Sequence, residues 1–187
     1  MIDKYLRYVD SCLDMVPASV GISLILVFCL GSAFFLVRQG WKKGLTRSAG
    51  LLLLEYLLLL LLLSVFIRSE QAERTCMLTP FWSYPAIQEG QPGILTQVIM
   101  NVAAFVPIGF LFGCIYGRAK WWKALLLGGV FSIMIEILQF AFKRGMSEFD
   151  DVFHNVLGCL IGYGLYVGVL WIVKIIFIVK LDAIRQS

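Results

Sequence analysis

Leu51-Leu-Leu-Leu-Glu-Tyr-Leu-Leu-Leu-Leu-Leu-Leu-Leu63 is thirteen residues with one charge, and it decides the class of fold. Leucine is a strong helix former, and a helix apolar on every side has no polar face to offer water. Extended to 48–67, the run is about as long as a helix must be to cross a ~30 Å hydrocarbon core. Four further runs repeat the pattern, at 16–37, 95–117, 124–142 and 152–173, and the last can reach Val179 with Lys174 snorkelling to the interface. The chain is 60% apolar and 15% charged, where a soluble domain is nearer a quarter charged. The expected fold is all-α: a single integral membrane domain over 1–187, a bundle of five transmembrane helices. The first run is too long for a signal-peptide core and is expected to be retained.

Charge placement sets the expected orientation. Arg38, Lys42, Lys43, Arg47, Arg118, Lys120, Lys123, Lys180 and Arg185 fall on one side, and Lys4, Arg7, Arg68, Arg74, Lys143 and Arg144 on the other. Positive residues favour the cytoplasmic side, so the N-terminus is expected outside and the C-terminus inside. The net charge of +4 is modest, and the basic residues flank apolar runs instead of forming a stripe, which argues against nucleic acid as a partner. Cys29, Cys114 and Cys159 lie within apolar runs and act as small hydrophobes. Cys12 and Cys76 alone share the outer side, and no pair has zinc-ligand spacing.

The organisation is two N-terminal spans over 16–67, an outer loop over 68–94 and a three-helix core over 95–173. In the loop, Thr79, Pro80, Phe81, Trp82, Ser83, Tyr84 and Pro85 concentrate aromatics and helix breakers. They read either as an interfacial aromatic belt or as a cover over a site. Glu55 is read as snorkelling near the inner end of span two.

The core carries the chemistry. Ser132, Glu136, Gln139 and Lys143 fall at i, i+4, i+7 and i+11, one face of span four. Asp151, Asn155, Gly158 and Gly162 repeat that spacing on span five, where glycines four apart allow close backbone approach. On a rise of ~1.5 Å per residue, Asn101, Glu136 and Asn155 lie roughly 5–10 Å below the outer interface. Gln139 and Arg144 lie above Glu136, with Glu148, Asp150 and Asp151 overhead. One polar cluster, Asn101, Glu136, Gln139, Arg144, Asp150, Asp151 and Asn155, is therefore expected to open outwards. A carboxylate in the bilayer is costly, ~2.5–3.5 kcal/mol on insertion scales, and marks function, so Glu136 leads the candidates. The bland alternative makes it a packing carboxyl held by Gln139, Asn101 or Asn155. Arg144 is the expected head-group cation, or else one partner in a solvated ion pair with Asp150 or Asp151. Pro107 should kink span three, and His154, the single histidine, is a weak metal signal.

The segments Asn101-Val-Ala-Ala-Phe-Val-Pro-Ile-Gly-Phe110, Ser132-Ile-Met-Ile-Glu-Ile-Leu-Gln139, and Arg144 through Asp150-Asp151-Val-Phe-His-Asn155-Val-Leu-Gly158 resemble the VanZ family of bacterial membrane proteins. Pro80-Phe81 fits the same pattern. The resemblance runs from about Thr79 to Tyr166, and the first two spans share only hydrophobicity. His154 stands where the pattern expects an aliphatic residue. The resemblance implies a multi-pass protein of the bacterial plasma membrane, in a family whose founding member is linked to teicoplanin resistance, a glycopeptide with an acyl tail.

Three classes of function follow. The leading one is a non-catalytic protein that recognises an amphiphile, such as a lipid-linked cell-wall precursor or a lipoglycopeptide, at the outer leaflet. The second is an intramembrane enzyme with Glu136 or Asp151 as acid or base and Arg144 on a phosphate. Against it, the chain has no clear nucleophile–base pair, no P-loop and no metal cage, and no cofactor is expected. The third, a transporter or scramblase, calls for polar residues through the whole membrane thickness, whereas these crowd one half.

Overall fold

The structure, a computed structural model, describes residues 18–118 and 121–185. The start of span one at residue 16, Cys12, Lys4, Arg7 and Lys120 lie outside the described residues. Helix α1 is Ala18–Gln39, and α2 is Trp41–Leu61, which ends in a π turn at Leu62–Phe66. Strand β1 is Thr75–Met77, followed by the short helix α3, Ser83–Gln88. Helices α4, Ile94–Tyr116, and α5, Trp121–Phe142, lead to strand β2, Met146–Glu148, and to helix α6, Phe149–Arg185.

Among the described residues, four helical segments are long and apolar enough to cross a membrane: Trp41–Phe66, Ile94–Tyr116, Trp121–Phe142 and Phe149–Val179. The described part of α1 adds a shorter apolar helix, Ser23–Gln39. Lipid is the environment such surfaces fit. The expected loop at 38–47 is reduced to a single residue, Gly40, whose φ of 74° turns the chain between α1 and α2. The basic residues Lys42, Lys43 and Arg47 stop the apolar run but not the helix, because Lys and Arg are good helix formers. Helix α5 likewise starts at Trp121 instead of 124, and α6 runs on to Arg185. With α2 starting at Trp41, Glu55 lies in mid-helix and is buried with its Oε1 unpartnered, not snorkelling at an end.

Among the described residues, the all-helical pattern is broken by one small sheet. Strands β1 and β2 pair in parallel, Thr75 with Met146, Cys76 with Ser147 and Met77 with Glu148. Three residues are too few for an alternating pattern to be read from sequence.

Helices α4 and α6 make the closest packing. A Cβ at Gly158 would collide with the Val102 carbonyl, one at Gly162 with the Val106 carbonyl, and one at Gly109 with the Cys159 carbonyl. The backbones thus touch directly, as small residues allow where lipid supplies no hydrophobic drive between helices. Helix α5 joins through Gly128, which faces the Cys159 side chain, and through the Cys159 thiol, which donates to the Ala124 carbonyl at 3.2 Å. Phe105, Ile108, Phe112, Phe131 and Ile135 fill the space between these helices. Helix α2 is tied to α4 by Tyr56, whose hydroxyl donates to the Ala104 carbonyl at 2.8 Å.

Candidate functional site

The polar stripe of α5 meets a different element at each step. Ser132 Oγ accepts from Asn155 Nδ2 of α6 at 2.8 Å. Glu136 Oε2 accepts the Glu148 backbone N–H of β2 at 2.8 Å. Gln139 Nε2 donates to the Ser64 carbonyl in the π turn at 3.0 Å. Lys143 Nζ reaches the Ala72 carbonyl at 3.4 Å. One helical face thereby organises one end of the bundle.

Helix α5 ends there in a tight cap. Lys143 adopts a left-handed φ of 55°, and the N–H groups of Lys143 and Arg144 bond back to the Phe140 and Gln139 carbonyls. This is the Schellman pattern, with lysine where glycine is usual. The cap aims Arg144 at the end of α2, where its Nη1 donates to the carbonyls of Phe66 and Arg68, each at 2.7 Å. A helix end leaves such carbonyls without partners, so Arg144 closes α2.

Asp150 works on the aromatic loop. Its carboxylate accepts the Phe81 N–H at 2.5 Å, the Ser83 N–H at 3.0 Å and the Ser83 hydroxyl at 2.5 Å. It caps α3 from another helix and holds Phe81 at a left-handed φ of 60°. The Phe81 ring packs against Phe153 and Phe149, with centroids 5.2 and 6.4 Å away. His154 is fully enclosed, with Nε2 3.3 Å from the Tyr84 hydroxyl. The loop is thus clasped to the start of α6.

Glu136, Glu148, Asp150 and Asp151 are each at most 8% exposed. Gln97, in the first turn of α4, donates through Nε2 to Glu148 Oε1 at 2.9 Å and to Asp151 Oδ1 at 3.3 Å, joining two of the acids. Burial pushes the Glu148 carboxyl above its ordinary range; the Gln97 hydrogen bond and the Arg68 charge pull the other way.

Beside these acids lies a cavity of about 580 Å³ lined by Arg68, Gln71, Thr96, Gln97, Asn101 and Glu148, among others. A second cavity, of about 680 Å³, runs between α2 and α4 along Tyr56, Leu60, Leu63, Ile67, Met100 and Ala104. The two share Arg68, Gln71, Met100, Asn101 and Gly145, so they form one groove, with polar side chains such as Gln97 and Glu148 gathered in one half and Leu60, Leu63 and Ala104 lining the other. Asn101 borders both halves, and its Nδ2 is enclosed without a hydrogen-bond partner.

The structure therefore divides the residues singled out in the sequence. Glu136 and Asp151 are gathered around Glu148 and Gln97, and Asn155 pairs with Ser132. Asn101 faces the groove, while Gln139, Arg144 and Asp150 bind backbone groups of neighbouring segments. Glu136 takes its hydrogen bond from β2, not from Asn101 or Asn155. Arg68, which sits over Gly145, is the cation that lines the groove. Gln97 escaped the sequence reading although it precedes Asn101 by four residues, one turn on the same face. Arg68 and Gln71 lie in irregular chain, where no periodicity marks them.

A bundle whose helices are long and apolar enough to cross a membrane, with buried acids and a groove at one end, places the chain among all-α membrane proteins. The chain belongs to the VanZ/LLP1 family, whose profile matches residues 22–174, including the first two helices that the sequence motifs alone did not reach. It is 31% identical over 105 residues to Protein VanZ of Enterococcus faecium, covering 56% of this chain and 58% of that protein. The chain thus spans less than two thirds of that relative's length. No solved structure matches.

Proposed function

We propose that the protein is a five-span plasma-membrane protein, N-terminus outside, that binds an amphiphile at the outer leaflet and so lowers susceptibility to glycopeptides with lipid tails. The single observation that carries the reading is the groove between α2 and α4. Its polar half presents the Arg68 guanidinium to an anionic or polar head, with Asn101 and Gln71 lining the same wall. Its apolar half runs along the bilayer-spanning part of α2 and suits a hydrocarbon tail. Arg68 takes the head-group role expected of Arg144, whose guanidinium already holds two carbonyls. Glu136, Gln139, Asp150, Asp151 and Asn155 then shape the site from behind, by fixing β2, the end of α2 and the loop.

The test exposes cells with and without the protein to two glycopeptides that differ only in the acyl tail. Protection against the tailed compound alone, lost in Arg68→Ala at unchanged membrane abundance, is the expected result. Equal protection against both compounds, or full protection with Arg68→Ala, overturns the reading.

A further inference from the structure

The apolar half of the groove has a floor. Along α2 its lining runs from Ile67 through Ser64, Leu63 and Leu60 down to Tyr56, about 15 Å of helix. Along α4 it runs from Met100 and Asn101 down to Ala104. Tyr56 and Ala104 are the deepest lining residues on their helices, and they are the two joined by the 2.8 Å hydrogen bond. The phenol ring thus lies at the deep end of the groove, where α2 and α4 are tied together. The tie satisfies the phenolic hydroxyl inside lipid, where an unpaired hydroxyl is costly, so the ring is fixed in place.

We infer that Tyr56 sets the length of the hydrocarbon tail the groove accepts: a tail short enough to end above the ring fits, and a longer one must bend or leave. This deepens the amphiphile reading and rests on it. The occupant is a single unbranched tail, matched to the one apolar strip that Leu60, Leu63, Met100 and Ala104 line between α2 and α4. The polar head stays with Arg68 and Asn101.

The probe is a series of alkyl phosphates from octyl to octadecyl. These compete with a diazirine-tailed alkyl phosphate for photolabelling of the full chain in nanodiscs, and each competitor is counted per mole in the membrane, so that partitioning cancels. Wild-type protein should show competition that rises with tail length and then breaks off. Tyr56→Ala and the milder Tyr56→Leu should shift the break to longer tails, and Ala104→Leu should shift it to shorter ones. Tyr56→Phe keeps the ring and should keep the wild-type break even where overall affinity changes. No competition at any length in wild type defeats the amphiphile reading itself. Competition with no length break, or a break unmoved in both Tyr56→Leu and Ala104→Leu, defeats the ruler alone.

Discussion

Gly158→Ala sets two physical effects of opposite sign against each other. Replacing glycine by alanine inside a helix stabilises it by about 1 kcal/mol through propensity. Here the new Cβ would lie 2.9 Å from the Val102 carbonyl carbon and 3.1 Å from the Phe105 Cβ, with the carbonyl oxygen closer still. Ordinary carbon contacts need about 3.5 Å, so α4 and α6 must part by roughly an ångström. Overpacking of this kind costs about 1–3 kcal/mol, and the weak Cα–H···O contacts across the pair, about 0.5–1 kcal/mol each, are lost with it. The packing effect wins, and a net destabilisation of about 1–2 kcal/mol is expected from these ranges. The assay is the unfolding equilibrium in mixed micelles of rising denaturing-detergent fraction, with Gly164→Ala as control. Nothing lies within 4 Å of a Cβ at Gly164, so there the propensity gain should appear alone. Adding Gly162→Ala to Gly158→Ala should cost less than the sum of the single changes, because helices already parted have room for the second methyl. A Gly158→Ala protein as stable as wild type, or as stable as Gly164→Ala, would refute the backbone-contact account of α4 and α6.

Two further outcomes are expected. Burial raises the Glu148 carboxyl above its usual value of 4.5, so the folded state favours its protonated form. A penalty absent at low pH therefore grows as pH rises from the unfolded value through the raised folded one, and Glu148→Gln should stabilise the protein at neutral pH but not in acid; thermal melts across that window showing equal gains at every pH would count against it. For orientation, exposed Cys76 should react with an impermeant maleimide in intact cells; labelling only after permeabilisation would reverse the proposed topology.

Length and hydropathy made the membrane helices legible, because a stretch apolar on all sides has few alternatives. The break between α1 and α2 was misjudged because hydropathy ends at Arg38 while helix formation resumes at Trp41. The stripe on α5 was readable as a face, since Ser132, Glu136 and Gln139 are all buried. Its partners were not, because three of its four bonds end on backbone groups of other segments, which no side-chain pattern reveals. The same blindness hid the work of Arg144 and Asp150. Charge and depth pointed both at a ligand, whereas the nearest unsatisfied groups were carbonyls ending α2 and N–H groups opening α3. Arg68 and Gln71 reach the groove through the placement of an irregular segment, fixed by β1 and by the bond from the Gln71 N–H to the Lys143 carbonyl.

The pairing of β1 with β2 also bears on the order in which the chain takes shape. Thr75 cannot meet Met146 until everything between them, α4 and α5 included, has been synthesised and threaded into the bilayer. The Phe81 and Ser83 N–H groups wait in the same way for Asp150. Contacts so distant along the chain form late. A nascent chain arrested before β2 would hold its helices in lipid, yet the segment carrying Arg68 would have no strand partner to dock on. The half of the groove that Arg68 lines thus arises only once β2 and the start of the last helix have been made.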